Sequence, residues 1–185
     1  MSETTRDTID SRLREMLDHY EITRTLKQYC FACDRGDEAR MAAVYLDDSW
    51  DEHGVYAARG PDFARIMSQA VAEQTDSMFH LLGQSQIRVD GDVAGADSYF
   101  LAVSRNTGDD GVVMCNQLGG RFVDYLERVD GGWKIKKRIV VRDWSISMPV
   151  TADWTALAKL RDGLRSNADP AFAALGMTHG AEARQ

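Results

Sequence analysis

Residues 119–144 read GGRFVDYLERVDGGWKIKKRIVVRDW. Apolar and polar side chains alternate on both sides of Asp130-Gly131-Gly132, the pattern of two antiparallel strands joined by a tight turn. Working toward the N-terminus, Asp90-Gly91 separates IRV from VAGADSYF in the same way, and the loop at 106–111 turns a third hairpin. Strands are therefore predicted over 77–89, 92–105, 112–129 and 133–146, with a short one near 49–56. The last three form an antiparallel meander.

Ahead of these strands the apolar period changes from two to that of a helix. Ile9, Leu13, Met16, Leu17, Tyr20, Ile22, Leu26, Tyr29, Cys30 and Cys33 define an amphipathic helix over 8–33. Its stripe shifts near 18–21, which predicts a bend there, and Gly36 is its stop signal. Shorter helices are expected over 37–46 and 61–74, the latter with Pro61 in its first turn. Helices followed by a hairpin-connected sheet make an α+β domain. A strongly curved, mostly antiparallel sheet folded over the three helices leaves a hollow cone. We expect a single domain over 1–185, with its core at about 10–148. The tail at 149–185 should hold one helix at 154–164, and the chain beyond Asn167 should be loosely held.

Composition narrows the function classes. The chain has 185 residues, 44% hydrophobic and 28% charged, enough for one substantial core. No apolar run is long enough for a transmembrane helix, and MSETTRDTIDSRLREM lacks the basic-then-apolar pattern of a secretory signal. A cytoplasmic location is expected. The net charge of −7 disfavours nucleic-acid binding. The densest basic cluster, Lys136-Lys137-Arg138, reads as a solvated sheet face. Cys30 and Cys33 form a C-x-x-C inside a helical apolar pattern, and with Cys115 make an odd number, so core packing is preferred to redox or zinc chemistry. The histidines lack metal-ligand spacing, and there is no Gly-rich phosphate loop and no Gly-x-Ser-x-Gly elbow. Cofactor-free chemistry is the expectation.

Four residues suit proton transfer. Asp34 closes the first helix in YCFACDRGD, His80 heads a strand in MFHLLGQ, Tyr29 lies five residues before Asp34, and Arg142 sits near the end of the last strand. An imidazole can act as a base near neutral pH, so His80 suits a general base, with Asp34 fixing its tautomer. Tyr29 can donate to a leaving hydroxyl, and Arg142 can stabilise developing negative charge. Tyr29 and Asp34 stand about 140° apart around a helix, so they share a cavity only if Asp34 lies at the helix end. Met78 and Leu82 share the face of His80. Trp144 shares that of Arg142, but so do Lys134, Lys136 and Arg138. One strand cannot bury and solvate the same face unless it twists or carries a bulge. Plainer roles exist for each: Asp34 as a turn cap, Tyr29 as core, Arg142-Asp143 as an ion pair, His53 on either the pocket or a strand face. His19 and His179 read as exposed.

The order of elements, with YCFACDRGD, MFHLLGQSQIRVDGD and the hairpin at 119–144, resembles the SnoaL-like branch of the nuclear-transport-factor-2-like superfamily over roughly 10–148. Within it the pocket residues resemble the group holding scytalone dehydratase, hexachlorocyclohexane dehydrochlorinase and bile-acid 7α-dehydratase. Asp34 and His80 match that group's aspartate–histidine pair. Tyr29 falls where the bile-acid enzyme has tyrosine and the dehydrochlorinase lysine, and Arg142 where both have arginine. The chain departs from scytalone dehydratase at Cys33, where that enzyme has a tyrosine, at Ser104 and at His53. The resemblance implies a dehydratase-like lyase or isomerase acting on a small hydrophobic cyclic molecule, with His53, Trp144, Met78 and Leu82 in contact with substrate. It also implies a homo-oligomer, either a dimer through the open sheet face or a trimer. A non-catalytic ligand- or partner-binding module of the same fold, and a SnoaL-type polyketide cyclase, remain the alternatives.

Overall fold

The computed structural model describes residues 3–151 and 160–180, with side chains from residue 9 onward. Helix α1 runs Glu3–Arg35, α2 Glu38–Ala43 and α3 Gly60–Gln74. Strand β1 spans Tyr45–Glu52, and β2 is the two-residue Ala58–Arg59. The meander is β3 (Ser77–Asp90), β4 (Val93–Thr107), β5 (Val113–Val129) and β6 (Gly132–Pro149). The strands form one sheet in the order β2-β1-β6-β5-β4-β3. Among the described residues only the β1–β6 pair is parallel; the others are antiparallel. The fold is thus the α+β arrangement expected, with β3 extending the meander to four strands.

Helix α1 is continuous through the place where a bend was expected. It ends at Gly36, whose φ of 59° is the left-handed conformation that terminates helices without a Cβ penalty. Asp37 then caps α2 by accepting the Arg40 amide at 3.1 Å. The inner sheet face and α1–α3 enclose one core, in which Ile22, Leu26, Tyr29, Phe63, Phe122 and Ile135 are fully buried. Cys30 and Cys33 belong to it as free thiols.

Two bulges in β6 decide which residues enter the cone. Tyr125 faces Lys137 while Leu126 faces Ile135, so Lys136 is extra; Gly119 faces Trp144 while Gly120 faces Arg142, so Asp143 is extra. Each bulge reverses the alternation of side chains across the sheet. Ile135, Arg138, Val140 and Arg142 consequently share the inner row, and Lys137, Val141 and Trp144 the outer one. The expectation of a solvated Lys136-Lys137-Arg138 face is therefore corrected at Arg138, which is completely buried.

The tail also differs from expectation. Residues 154–159 of the expected helix lie outside the described residues, and 160–164 are not helical. A helix, α4, instead spans Pro170–Leu175, N-capped by Asp169. Far from loose, this segment is anchored. Phe172 is 1% exposed and packs against Phe31, His179 Nε2 lies 3.0 Å from the Arg35 carbonyl, and Gly180 N–H donates to Asp37. His179 is thus a docking residue. Among the described residues no helix is long and apolar enough to cross a membrane.

Candidate functional site

β3 is an edge strand, so half of its backbone amides face away from the sheet and need other partners. Asp34, in the last turn of α1, supplies one. Its Oδ2 accepts the His80 backbone N–H at 3.0 Å while its Oδ1 lies 2.7 Å from His80 Nδ1. One carboxylate therefore grips both the backbone and the ring of the same residue. A carboxylate only accepts, so Nδ1 carries a proton, and in the neutral ring the lone pair is on Nε2. Both side chains are largely buried, His80 5% and Asp34 11% exposed.

The ring of His80 lies among aromatic side chains: Tyr29 edge-on at 6.3 Å, Phe100 at 6.2 Å and Phe122 at 6.4 Å between centroids. Phe100 and Phe122 stack on each other at 4.1 Å. Burial raises the Tyr29 hydroxyl well above its ordinary pKa, so it remains a proton donor at neutral pH. Among the described residues that hydroxyl bonds no nitrogen or oxygen and has only the Cys33 thiol beside it.

Tyr29, Asp34 and His80 thus meet in one place. Arg142 does not join them. It is exposed and lines a groove of about 540 Å³ with Met78, Ala102, Ser104 and Leu118. Ala102 is the cross-strand partner of His80, so this groove opens beside the dyad on the inner sheet face. The arginine that reaches the aromatic site is Arg138. Its guanidinium lies 4.1 Å from the ring centroids of both Tyr29 and Phe122, a doubled cation–π contact. Asp124 holds it through two bonds of 2.7 and 3.0 Å, leaving Nη1 buried without a partner. Burial opposes the charge on Arg138, but Asp124, with smaller contributions from Tyr45 and Tyr29, raises the group above the ordinary arginine value overall.

Trp144 is corrected by the second bulge. It lies on the outer face, its ring over Gly119, where any Cβ would meet the indole at 2.3 Å. It cannot line a cavity inside the cone. His53 stands on another wall, stacked on Phe63 at 5.0 Å with Nδ1 3.2 Å from Asp51. Asp51 is fully buried, also accepts the Tyr45 hydroxyl, and flanks Arg138 across the β1–β6 pair. Met78 lines the groove, and Leu82 packs against the core beside it. Sequence reasoning missed Arg138, Asp124 and Asp51. The adjacent pair Lys136-Lys137 was the available signal, since two successive outward cations in an alternating strand mark a bulge.

Among the described residues no cluster of three or more His, Cys, Asp or Glu is arranged to hold a metal ion. The architecture and the buried pair define a cone-shaped α+β domain with an acid–imidazole site at its inner wall. The chain belongs to the SnoaL-like domain family, which matches residues 14–139. Among solved structures it is similar to a putative scytalone dehydratase from Novosphingobium aromaticivorans, at 24% identity and TM-score 0.65, covering 78% of this chain and 94% of that one. It is similar to hexachlorocyclohexane dehydrochlorinase LinA-type3 from Novosphingobium barchaimii, at 17% identity and TM-score 0.65, covering 77% and 96%. A protein of unknown function from Mycobacterium tuberculosis is 25% identical with TM-score 0.59, covering 69% and 77%. No curated protein matches.

Proposed function

We propose that the chain is a cofactor-independent lyase or isomerase that takes a proton from carbon on a small hydrophobic cyclic substrate. The observation that carries this reading is the double grip of Asp34 on His80. It leaves Nε2 as a base of fixed orientation, and the carboxylate stabilises the imidazolium formed when that base accepts a proton. In an elimination, Nε2 removes the proton next to an electron-withdrawing carbonyl and the C–H electrons become the new double bond. A β-hydroxyl then leaves with a proton from Tyr29 or the imidazolium, as water. The Tyr29 hydroxyl, which bonds no nitrogen or oxygen among the described residues, and Arg138 Nη1 are suited to a substrate oxygen, where they would offset developing negative charge. Met78 and Arg142 would meet substrate in the groove. That two solved neighbours are described as a putative scytalone dehydratase and a dehydrochlorinase accords with this reading.

The test is turnover of hydroxylated cyclic ketones and steroids by the wild type and by His80→Ala and Asp34→Ala variants. Loss in both supports the dyad; full activity in both eliminates it.

One observation favours a second reading. Tyr29, Phe100 and Phe122 crowd the small exposed part of His80, as they would in a module that holds an apolar ligand without transforming it. Tight binding of the same panel without product would favour that module. Either activity is proposed to reside in a homo-oligomer.

A further inference from the structure

Arg138 and Arg142 share the inner row of β6, but only Arg138 has its charge matched, by Asp124. Among the described residues Arg142 makes no hydrogen bond, ion pair or ring contact. It is also the one charged residue among them that lines the groove of about 540 Å³. In a chain of net charge −7 acids were available to pair it, as they pair Arg121, Arg128 and Lys136 on the same sheet.

The register says where the groove leads. Along the row of His80 come Ala102 on β4, Leu118 on β5 and Ser145 on β6, and all three line the groove. Arg142 is the inward-facing residue before Ser145, because Asp143 is bulged and Trp144 points outward. Across from Arg142 stands Gly120, where a Cβ would run into the Val141 carbonyl, so that position stays without a side chain. The wall is thus apolar from the dyad to Leu118 and ends in a hydroxyl and a cation. β6 lies three strand spacings from β3, about 14 Å along a sheet, and the long arginine side chain shortens that span.

We propose that Arg142 recognises a carboxylate on the substrate: the groove takes a cyclic ketone whose reacting carbon meets His80 and whose side chain carries a carboxylate to Arg142 and Ser145. The inference rests on the role proposed for His80 only for the direction in which the ligand lies. A single cation lines the groove, which matches the one charge of a carboxylate better than the two of a phosphate. The planar guanidinium also takes a planar carboxylate through two parallel hydrogen bonds. Holding both ends fixes which carbon beside the carbonyl is presented to Nε2. Arg142 therefore selects and orients, while Arg138 is the cation at the aromatic site.

The probes are a cyclohexanone bearing a propanoate chain opposite its carbonyl, the methyl ester of that acid, and the matching phosphate monoester. Isothermal titration calorimetry on the full chain reads binding, and deuterium exchange beside the carbonyl reads chemistry. The wild type should bind the acid about tenfold tighter than the ester. Arg142→Gln should abolish that ratio, and Arg142→Lys, which keeps the charge but not the fork, should restore part of it. Arg142 is exposed, and circular dichroism checks that the variants fold. Equal binding of acid and ester, binding of neither, a ratio that survives Arg142→Gln, or a preference for the phosphate would each overturn the proposal. Failure of the proposed chemistry is read separately. An acid preference lost with Arg142, but with no exchange in any probe, leaves this subsite standing and removes the role given to His80.

Discussion

Asp34 accepts two hydrogen bonds from His80, one from the ring at 2.7 Å and one from the backbone at 3.0 Å. The second bond matters because it anchors the carboxylate to the edge of the sheet, so the imidazole cannot turn without leaving an acceptor held in place. Nitrogen-15 NMR of the histidine side chains should show His80 with the proton on Nδ1. In Asp34→Ala that preference should relax toward the mixture of an unrestrained imidazole. A wild-type His80 protonated on Nε2 would contradict the assignment.

Arg138 is fully buried between two carboxylate-bearing strands. Replacing it by Met leaves Asp124 buried without its cation and should cost about 3–5 kcal/mol. Adding Asp124→Leu should recover much of that loss, because removing both partners is far cheaper than removing one. Urea unfolding of the single and double variants measures the difference.

Tyr29 separates stability from chemistry. Its hydroxyl is buried and, among the described residues, has only the Cys33 thiol as a weak neighbour, so Tyr29→Phe removes a polar group without orphaning a strong partner. The unfolding midpoint should stay level or rise, with a change within about 1 kcal/mol. If the hydroxyl donates to a leaving group, turnover should fall in the same variant.

The core thiols bear on alkaline stability. Burial pushes Cys30 up to about 12 from an ordinary 9.0, and pushes Cys33 up as well. A raised value means that the folded state holds the proton more tightly than the unfolded chain does. The stability this contributes is complete below pH 9 and is lost as the pH rises toward 12. Denaturant midpoints should therefore decline on moving upward through that window. At neutral pH an aromatic disulfide reagent should label only Cys115 until the protein is unfolded, since it is the one of the three that is not buried.

Much of the cone was legible because its signals are local. Asp90-Gly91 and Asp130-Gly131-Gly132 mark their turns, and the helical period before Gly36 marks α1. Asp34 and His80 were paired through the resemblance to a family with an aspartate–histidine pair, and the two side chains lie 2.7 Å apart. Trp144 was misplaced because facing was counted by strict alternation, and the bulge at Asp143 reverses it between Arg142 and Trp144; Arg142 keeps the inner row and lines the groove beside the dyad. The docked tail was illegible because the hold of Phe172 and His179 on Phe31 and Arg35 is made across more than a hundred residues of sequence.

The claim that His80, held by Asp34, removes a proton from carbon is tested most directly by deuterium exchange. Cyclic ketones incubated with the protein in heavy water report C–H abstraction by mass, whether or not a leaving group is present. The account predicts exchange beside the carbonyl by the wild type, reduced about 10²- to 10⁴-fold in His80→Ala. Equal exchange by the two proteins would contradict it.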